Sequence, residues 1–568
     1  MKTIETISSS IWKQYLSEIK GEEPLLLCRG YSGNGGDGYC ADLEGEKILL
    51  EVDTPQAASF ATHQLGVGLT SGHLAEFLGE HRPAFDLRPL WLEGTKRVQI
   101  SPGLGVDIPE SLYLASLEGN LDEFLESLCS HLLYLGYNSI LFGSWLSGAF
   151  ECGEGDVLDF SVLFAKIQKY GIKVIVKPCI VDDLFTKESS LPLLQEKITE
   201  ALKEFCSCTK FIHYVFWQSE VFSDACLLKA FSPREYTLLE RSLFEVEALE
   251  KGLGKGVSLI YYLYSPKESI AQEYARYFEE LLDGVGANTM LSFSASSGEP
   301  FDDHLELHPI WKTIRFSPDE SATPILPIIN GGCVKQGEGL WPILPLDHLD
   351  SCFSRMYRHS FAGAITMSAH MPSLGSLLDC CLWVSAQALW RKLSPDLLAQ
   401  TWFLANEQRL RGGWKISLLK KIREVSVRLR RFFMGNGNLQ KDMFAQELFR
   451  LEAESLLLRL NLLRTMSQSF FENNNRVGLS LSDYLQYYIR DAKRMLLKYL
   501  QKEKLLLANI LDGEDLKEGF WTEISQGTSK SFVGQVEVSM LERPFYKSDD
   551  PVMSEIFQKT CPFFSKSM

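Results

Sequence analysis

From about position 88 onward, the chain alternates between short apolar runs of strand length and longer amphipathic segments of helical period. This alternation is typical of a parallel sheet whose strands are joined by crossover helices. The predicted strands are 88–92, 139–142, 173–177, 211–217, 258–264, 289–293, 325–329 and 363–367. The predicted helices are 121–135, 159–169, 191–206, 233–251, 267–282, 345–358 and 374–391.

Eight strands with interleaved helices in roughly 300 residues predict an α/β protein with a (β/α)₈ TIM barrel, here spanning residues 86–392. An open doubly wound sheet is the alternative fold. The segment 294–323, between the sixth and seventh strands, shows no clear helical pattern. Long loops at the carboxyl end of a barrel are often functional.

The sequence continues on both sides of the predicted barrel, and the segment before it has a pattern of its own. Residues 1–85 predict a small α/β domain with strands at 24–28 and 47–52 and helices at 54–65 and 71–78. The glycine-rich run 33–38 matches the dinucleotide fingerprint GxGxxG. That fingerprint needs a helix directly after it, whereas a polar turn and another strand follow here. We therefore predict a tight hairpin at this position and no cofactor.

After residue 392 the composition becomes strongly helical. The predicted helices are 395–407, 414–434, 440–466 and 482–511. They predict a helical C-terminal domain over 393–568, and the alternating segment near 532–538 predicts a terminal strand or hairpin. Basic residues between 420 and 431 are interpreted as a solvated helix face, because the whole protein is acidic.

Charge and cysteine usage restrict the function classes. A net charge of −16 over 568 residues disfavours nucleic-acid binding, which needs a basic face. The first residues lack the apolar core of a signal peptide, and no apolar run reaches membrane-span length, so we expect a cytoplasmic protein that binds no membrane. The 13 cysteines contain no CxxC pair, which favours reduced thiols and no metal site.

The carboxyl ends of the predicted strands mix carboxylates with flat aromatic and basic side chains. The residues at or near these ends are Glu93, Trp145, Lys177, Asp182, Asp183, Trp217, Glu220, Tyr264, Glu299, Asp302, Asp303, Asn330, Lys335, Glu338, Trp341 and His370. Aromatic faces pack against sugar rings, and two carboxyl groups supply the acid and base for glycosidic cleavage. The sequence contains no serine nucleophile elbow, Walker loop or HExxH motif.

Four segments resemble the α-glucuronidases, glycoside hydrolase family 67, which combine a small α/β domain, a (β/α)₈ barrel and a helical C-terminal domain. Related hexosaminidase-like families also have a small α/β domain before the barrel. The similar segments are LGYNSIL (135–141), KYGIKV (169–174), QSE (218–220) and ALWRKLSPD (388–396), the last followed by Trp402. The resemblance covers most of the chain.

The resemblance implies a glycoside hydrolase acting on a glucuronic-acid-type or related sugar. The segment QSE is similar to the Asn-Ser-Glu that ends the family's fourth strand, which implies that Glu220 is the general acid. Phe301 and the pair His308-Pro309 fit the family's next catalytic loop, but Pro300 occupies the position of its aspartate. The candidate bases are therefore Glu299, Asp302 and Asp303, with Glu338 as a further option. The expected sugar-binding residues are Trp145, Lys177, Trp217, Tyr264, Lys335, Trp341 and His370.

Two alternatives to hydrolysis stay open. A barrel that has lost its catalytic base would be a glycan-binding or protein-binding module. A barrel enzyme of other chemistry would have a phosphate pocket near Gly331-Gly332, after the seventh strand. No metal or organic cofactor is expected, and a homodimer through the C-terminal helical domain is one option.

Overall fold

The computed structural model of the protein describes residues 25–31, 37–45, 47–94, 96–101, 103–145, 159–180, 191–219, 237–263, 271–296, 307–308, 310–313, 323–331, 333–336, 339–342, 345–358, 361–368 and 377–409. The predicted helices at 414–434, 440–466 and 482–511 and the predicted terminal strand lie outside these residues.

The chain begins with a small mixed sheet. Its strands are β1 (Leu25–Tyr31), β2 (Tyr39–Glu44), β3 (Lys47–Val52) and β4 (Gly79–His81), in the order β1-β3-β2-β4. Helix α1 (Pro55–Ser71) packs on this sheet. It begins at Thr54, whose hydroxyl accepts a hydrogen bond from the Ala57 amide at 3.1 Å, and it ends at Gly72 with a left-handed φ of 75°.

Two predictions for this region need correction. The strands predicted at 24–28 and 47–52 pair in parallel as β1 and β3, so they are not the two arms of a hairpin, and the hairpin is instead formed by β2 and β3 around Gly45. Tyr39 and Ala41 supply the alternating buried side chains of β2. The predicted helix at 71–78 is a single 3₁₀ turn, Leu74–Phe77, because Gly72 has already ended α1. A strand, not a helix, follows the glycine-rich run, whose residues 33–36 lie outside the described parts of the chain.

The remaining strands are β5 (Pro89–Glu93), β6 (Lys96–Ser101), β7 (Leu104–Ile108), β8 (Ser139–Gly143), β9 (Lys173–Val176), β10 (Pro178–Ile180), β11 (Tyr214–Ser219), β12 (Ser258–Leu263), β13 (Thr289–Ser292), β14 (Ile328–Asn330), β15 (Cys333–Gln336), β16 (Gly339–Pro342) and β17 (Ile365–Ser368). The remaining helices are α2 (Glu110–Leu117), α3 (Leu121–Leu135), α4 (Phe160–Gln168), α5 (Leu191–Cys208), α6 (Leu238–Gly252), α7 (Ala271–Gly284), α8 (Ile310–Thr313), α9 (Leu346–Met356), α10 (Leu377–Trp390) and α11 (Pro395–Arg409).

Eight of these strands form one parallel sheet in the order β13-β12-β11-β9-β8-β5-β17-β14. They correspond to the eight strands predicted from the sequence, and α3 to α7, α9 and α10 correspond to the predicted helices. The strands are rich in aliphatic and aromatic residues because both faces are covered, one by the interior and the other by the helices. Within the described residues, the connection from β13 to β14 contains only the short helix α8.

The two end strands of this sheet meet. Isolated parallel bridges join Leu291 to Ile325 and Ser294 to Ile328. The Ile328 amide donates to the Phe293 carbonyl at 2.8 Å, and the Ala295 amide donates to the Ile328 carbonyl at 2.8 Å. The sheet is therefore a nearly closed barrel, which is not the open doubly wound alternative.

A buried arginine ties the N-terminal sheet to the barrel. Arg88 directly precedes β5 and is 1% exposed. Its guanidinium donates to the Phe85 carbonyl at 2.8 Å, the Gly136 carbonyl at 3.0 Å and the Asp37 carboxylate at 2.6 Å. Its central carbon lies 4.7 Å from the ring centre of Trp390. A buried cation needs this full set of partners to offset its lost hydration.

Helix α11 adds further contacts between the barrel and the N-terminal unit. It contacts α10 and α1, and its Trp402 and Phe403 are fully buried. Beside it, Phe60 of α1 stacks on Trp390 of α10 with ring centres 3.8 Å apart. The first helix after the predicted barrel boundary thus lies against both the barrel and the N-terminal unit. None of the helices in the described ranges is long and apolar enough to cross a bilayer.

Replacing Arg88 tests how much its hydrogen bonds stabilise the contact between the N-terminal sheet and the barrel. We expect Arg88→Met to lower the free energy of unfolding by about 3 kcal/mol, because two buried carbonyls and a carboxylate lose their donor. The matched control is Arg276→Met, whose side chain is 82% exposed and pairs with Glu280. It should cost about 0.5 kcal/mol or less. Urea unfolding followed by circular dichroism measures both, and equal midpoints would contradict the assigned role of Arg88.

Candidate functional site

An aromatic cluster fills the barrel interior toward the carboxyl ends of the strands. Trp91 of β5 lies 5.0 Å from Phe216 of β11 and 5.6 Å from Trp145, and Trp145 lies 5.4 Å from Tyr262 of β12. Strands β5 and β11 are not neighbours in the sheet, so the contact between Trp91 and Phe216 crosses the interior. These four rings form an apolar floor beneath the carboxyl rim of the barrel.

The carboxylate of Glu93 fixes the start of the loop after β8. Glu93 is the last residue of β5 and is 6% exposed. One of its oxygens accepts a hydrogen bond from the Ser144 hydroxyl at 2.8 Å, and both oxygens lie 2.8 Å from the Trp145 amide nitrogen. This carboxylate therefore fixes the backbone of the predicted sugar-binding residue Trp145, whose ring is part of the aromatic floor.

Lys177 brings a positive charge to the same place. It directly follows β9, and its ammonium donates to the Ser144 carbonyl and lies 5.6 Å from the ring centre of Trp91. Its side chain crosses Gly143, where an added Cβ would lie 2.5 Å from the Lys177 Cβ. Glycine at 143 is therefore required for this approach, and the structure brings Lys177 and Trp145 together around Trp91.

A small antiparallel sheet, β10-β7-β6, adjoins this rim. Arg97 pairs with Asp107 through two bonds of 2.8 and 3.1 Å, and the Cys179 thiol lies 3.6 Å from the Asp107 carboxylate. Burial and the negative charge of Asp107 raise the pKa of Cys179 to about 12, so the thiol stays protonated and donates. The hairpin passes so close to Gly94 that a Cβ there would lie 2.3 Å from the Asp107 backbone.

Trp217 lies on the other side of the sheet. Its indole nitrogen donates to the Glu245 carboxylate of α6 at 3.0 Å, whereas its neighbour Phe216 faces the interior. The same carboxylate accepts from the Ser219 hydroxyl at 2.8 Å and from the Tyr261 hydroxyl at 2.5 Å. The structure therefore places Trp217 in the helix layer and does not bring it together with Trp145, contrary to the expectation that both would line one sugar site.

His308 supports the backbone after β13. It is 5% exposed, its Nδ1 accepts a hydrogen bond from the Ile310 amide at 3.1 Å, and its ring lies 5.1 Å from that of Tyr274. Burial lowers its pKa to about 4, so the imidazole is neutral at pH 7. The histidine that fits the α-glucuronidase pattern is thus a buried anchor of the loop between β13 and α8.

The other predicted site residues fall largely in the parts of the chain that the structure does not describe. Those outside the described residues are Asp182, Asp183, Glu220, Tyr264, Glu299, Asp302, Asp303, Glu338 and His370. Lys335 and Trp341 belong to the hairpin β15-β16, where they lie on opposite strands, and the structure describes only their backbone. No group of three or more metal-ligating side chains occurs in the described ranges.

Sequence reasoning selected Trp145 and Lys177 but did not assign a role to Glu93, Trp91, Tyr262 or Glu245. Glu93 was recognisable as a strand-end carboxylate. The period-two pattern of β5 groups Trp91 with Glu93, but the pattern does not tell which face is the interior. Glu245 lies on a helix, 26 residues after Ser219. The amphipathic pattern of that helix does not indicate that Glu245 binds residues of two strands.

No known protein-family profile matches this sequence, and no curated protein is significantly similar to it. Among solved structures, the chain is similar to a GH138 enzyme targeting pectin rhamnogalacturonan II, with 10% identity, a TM-score of 0.45 and coverage of 91% of this chain and 92% of that one. It is also similar to a GH20 exo-β-N-acetylglucosaminidase from Vibrio harveyi, with 12% identity, a TM-score of 0.42 and coverage of 73% and 74%.

A third similar structure is the β-N-acetylhexosaminidase from Bacteroides fragilis, with 10% identity, a TM-score of 0.37 and coverage of 64% of this chain and 79% of that one. All three are glycoside hydrolases. Likenesses at this level assign neither fold nor activity to this chain.

His308 predicts a specific sensitivity to acid. Its folded-state pKa of about 4 lies below the ordinary value of 6.5, so the unfolded state takes up the proton first as the pH falls. The stability that His308 contributes is present above pH 6.5 and is lost as the pH falls toward 4. We expect the parent to lose about 3 kcal/mol more than His308→Gln between pH 7 and pH 4.

Urea midpoints at the two pH values measure this difference. The control is His73→Gln, at a partly exposed position where the ring lies 3.4 Å from the Glu76 carboxylate. Equal acid sensitivity of the parent and His308→Gln would contradict the burial of this imidazole.

Proposed function

We propose that the protein is a glycoside hydrolase acting on a glucuronic-acid-type or related sugar at the carboxyl rim of the barrel. The observation that carries this proposal is that Lys177 and Trp145 both contact Trp91 in the aromatic floor, while Glu93 fixes the backbone of Trp145. Aromatic faces pack against sugar rings, and a lysine beside them suits an anionic sugar substituent. The coarse class also agrees with the resemblance of four sequence segments to the α-glucuronidases.

In this proposal, Glu220 is the general acid. It follows Ser219, the last residue of β11, and position 220 has the same parity as Phe216, which faces the interior. A general acid protonates the leaving-group oxygen, and a second carboxylate activates water or attacks the sugar. The candidates for the second carboxylate are Glu299, Asp302 and Asp303, with Glu338 as a further option.

Trp145 and Lys177 bind the sugar in this proposal. Tyr264, Lys335, Trp341 and His370 remain candidates for further contacts because they come from the same set of strand ends. The oxygens of Glu93 accept hydrogen bonds from the Ser144 hydroxyl and the Trp145 amide. Its role is to hold Trp145 in place.

A second candidate function is a glycan-binding or protein-binding module without catalysis. The observation that favours it is that the carboxylate of Glu93, which lies beside the aromatic floor, binds the start of the loop after β8. A screen of chromogenic and natural glycosides, including glucuronides and N-acetylhexosaminides, separates the two functions. Turnover supports hydrolysis, and calorimetric binding of oligosaccharides without turnover supports the module.

Glu220→Gln tests the acid. On a glycoside with a poor leaving group, we expect the rate to fall by about 10²–10⁴-fold, the usual contribution of general acid catalysis. On an activated aryl glycoside, which hardly needs protonation, the loss should be much smaller. The control is Glu204→Gln, at an exposed position of α5. If Glu220→Gln hydrolyses both substrates as fast as the parent, Glu220 is not the acid.

Lys177→Met tests the acidic-sugar specificity. The charge-assisted hydrogen bond of an ammonium to a sugar carboxylate contributes about 1.5–3 kcal/mol, so kcat/KM for a glucuronide should fall by about 10- to 150-fold. The corresponding neutral glucoside should lose much less. Lys169→Met, at an exposed position before β9, is the control. Equal losses on both sugars would show that Lys177 does not recognise the substrate carboxylate.

A further inference from the structure

A buried carboxylate lies behind the end of strand β11. Glu245, on helix α6, is 5% exposed. One of its oxygens accepts the Trp217 indole N–H at 3.0 Å. The other accepts the Ser219 hydroxyl at 2.8 Å and the Tyr261 hydroxyl at 2.5 Å. Taking a carboxylate out of water is costly, and three donors offset that cost.

The donors come from two neighbouring strands. Trp217 of β11 and Tyr261 of β12 are partners in the parallel register, and Ser219 is the last residue of β11. Burial and the adjacent Glu245 charge raise the pKa of the Tyr261 phenol well above its ordinary value, so it remains a donor. A single helix side chain thus joins the outer face of both strands at the carboxyl end of β11.

We propose that Glu245 is a positioning residue that fixes the carboxyl end of β11 and thereby orients Glu220 for proton donation. This inference rests on the proposed function, because Glu220 is the acid there. Two of the last three residues of β11 bind Glu245, and Glu220 comes next in the chain. Catalytic groups need to be held within about 0.5 Å of their productive position, and fixing the adjacent backbone supplies such a restraint.

A general structural role predicts different behaviour. If Glu245 only stabilised the packing of α6, its loss would lower stability and affect all substrates alike. If it positions Glu220, its loss would slow only those reactions that need the acid, in the same pattern as Glu220→Gln. The dependence of the rate on the leaving group therefore separates positioning from stabilisation.

The test compares Glu245→Gln, Ser219→Ala and Tyr261→Phe in the full-length chain. Glu245→Gln keeps the side-chain volume but removes the charge, and the amide NH₂ that replaces one carboxylate oxygen cannot accept the hydrogen bonds of the Ser219 and Tyr261 hydroxyls. The matched control is Tyr137→Phe, which removes a buried hydroxyl that donates to the Leu382 carbonyl at 3.0 Å, away from β11. All variants first have their thermal midpoints measured, so that the assays use folded protein.

Two measurements follow. The first is amide hydrogen exchange, followed by mass spectrometry, in peptides that cover the end of β11. We expect faster exchange there in Glu245→Gln and, to a lesser extent, in Ser219→Ala and Tyr261→Phe, and unchanged exchange in Tyr137→Phe.

The second measurement is kcat on a substrate with a poor leaving group and on one with an activated leaving group. We expect about 10- to 100-fold loss in Glu245→Gln on the poor leaving group, as for a small misplacement of a catalytic group, and a much smaller loss on the activated one.

The two measurements distinguish a failure of this inference from a failure of the proposed function. Unchanged exchange at the end of β11 in Glu245→Gln overturns the inference whether or not the protein hydrolyses glycosides. Faster exchange with equal losses on both leaving groups also overturns it, because the restraint then does not act through the acid. Absence of hydrolysis by the parent contradicts the proposed function, and the exchange result still decides whether Glu245 fixes the strand.

Discussion

The hydrogen bonding between β13 and β14 is the constraint on which the rest of the structure depends. Because the first and last strands of the sheet meet there, the strands enclose an interior, and alternate side chains of each strand must face it. Trp91 and Phe216 come from strands that are not neighbours, yet their rings meet across that interior. The aromatic floor is therefore a consequence of closure, not of local sequence.

Two buried carboxylates stabilise the rim that rests on this floor. Glu93 acts from inside the barrel and holds the start of the loop after β8, whereas Glu245 acts from the helix layer and holds the end of β11. Each is satisfied by several donors, which is the condition under which a buried carboxylate is tolerated. The ends of two strands are thus fixed from opposite faces of the same sheet.

The sequence was sufficient to predict where the strands lie, but not which side of each strand faces the barrel interior. An apolar run such as 258–264 identifies itself as a buried strand through its composition, and all eight such runs were found. Because the side chains on both faces of these strands are apolar, the pattern could not tell that Trp145 belongs to the interior and Trp217 to the helix layer. The predicted helix at 71–78 is only a short turn at Leu74–Phe77, because Gly72 ends the preceding helix within the segment that has the helical pattern. Glu245 was missed because its partners are distant in sequence and adjacent only in the folded barrel.

The stacking of Phe60 on Trp390, with α11 packed against α1, limits how this architecture can be divided. The N-terminal sheet cannot be treated as a portable module, because the barrel's last helix and the helix after it use α1 as part of their own apolar cover. A chain shortened to begin at β5 would leave one face of Trp390 and the inner side of α11 in water. Recombination with other barrels would therefore have to transfer the N-terminal unit, the barrel and residues up to the end of α11 together.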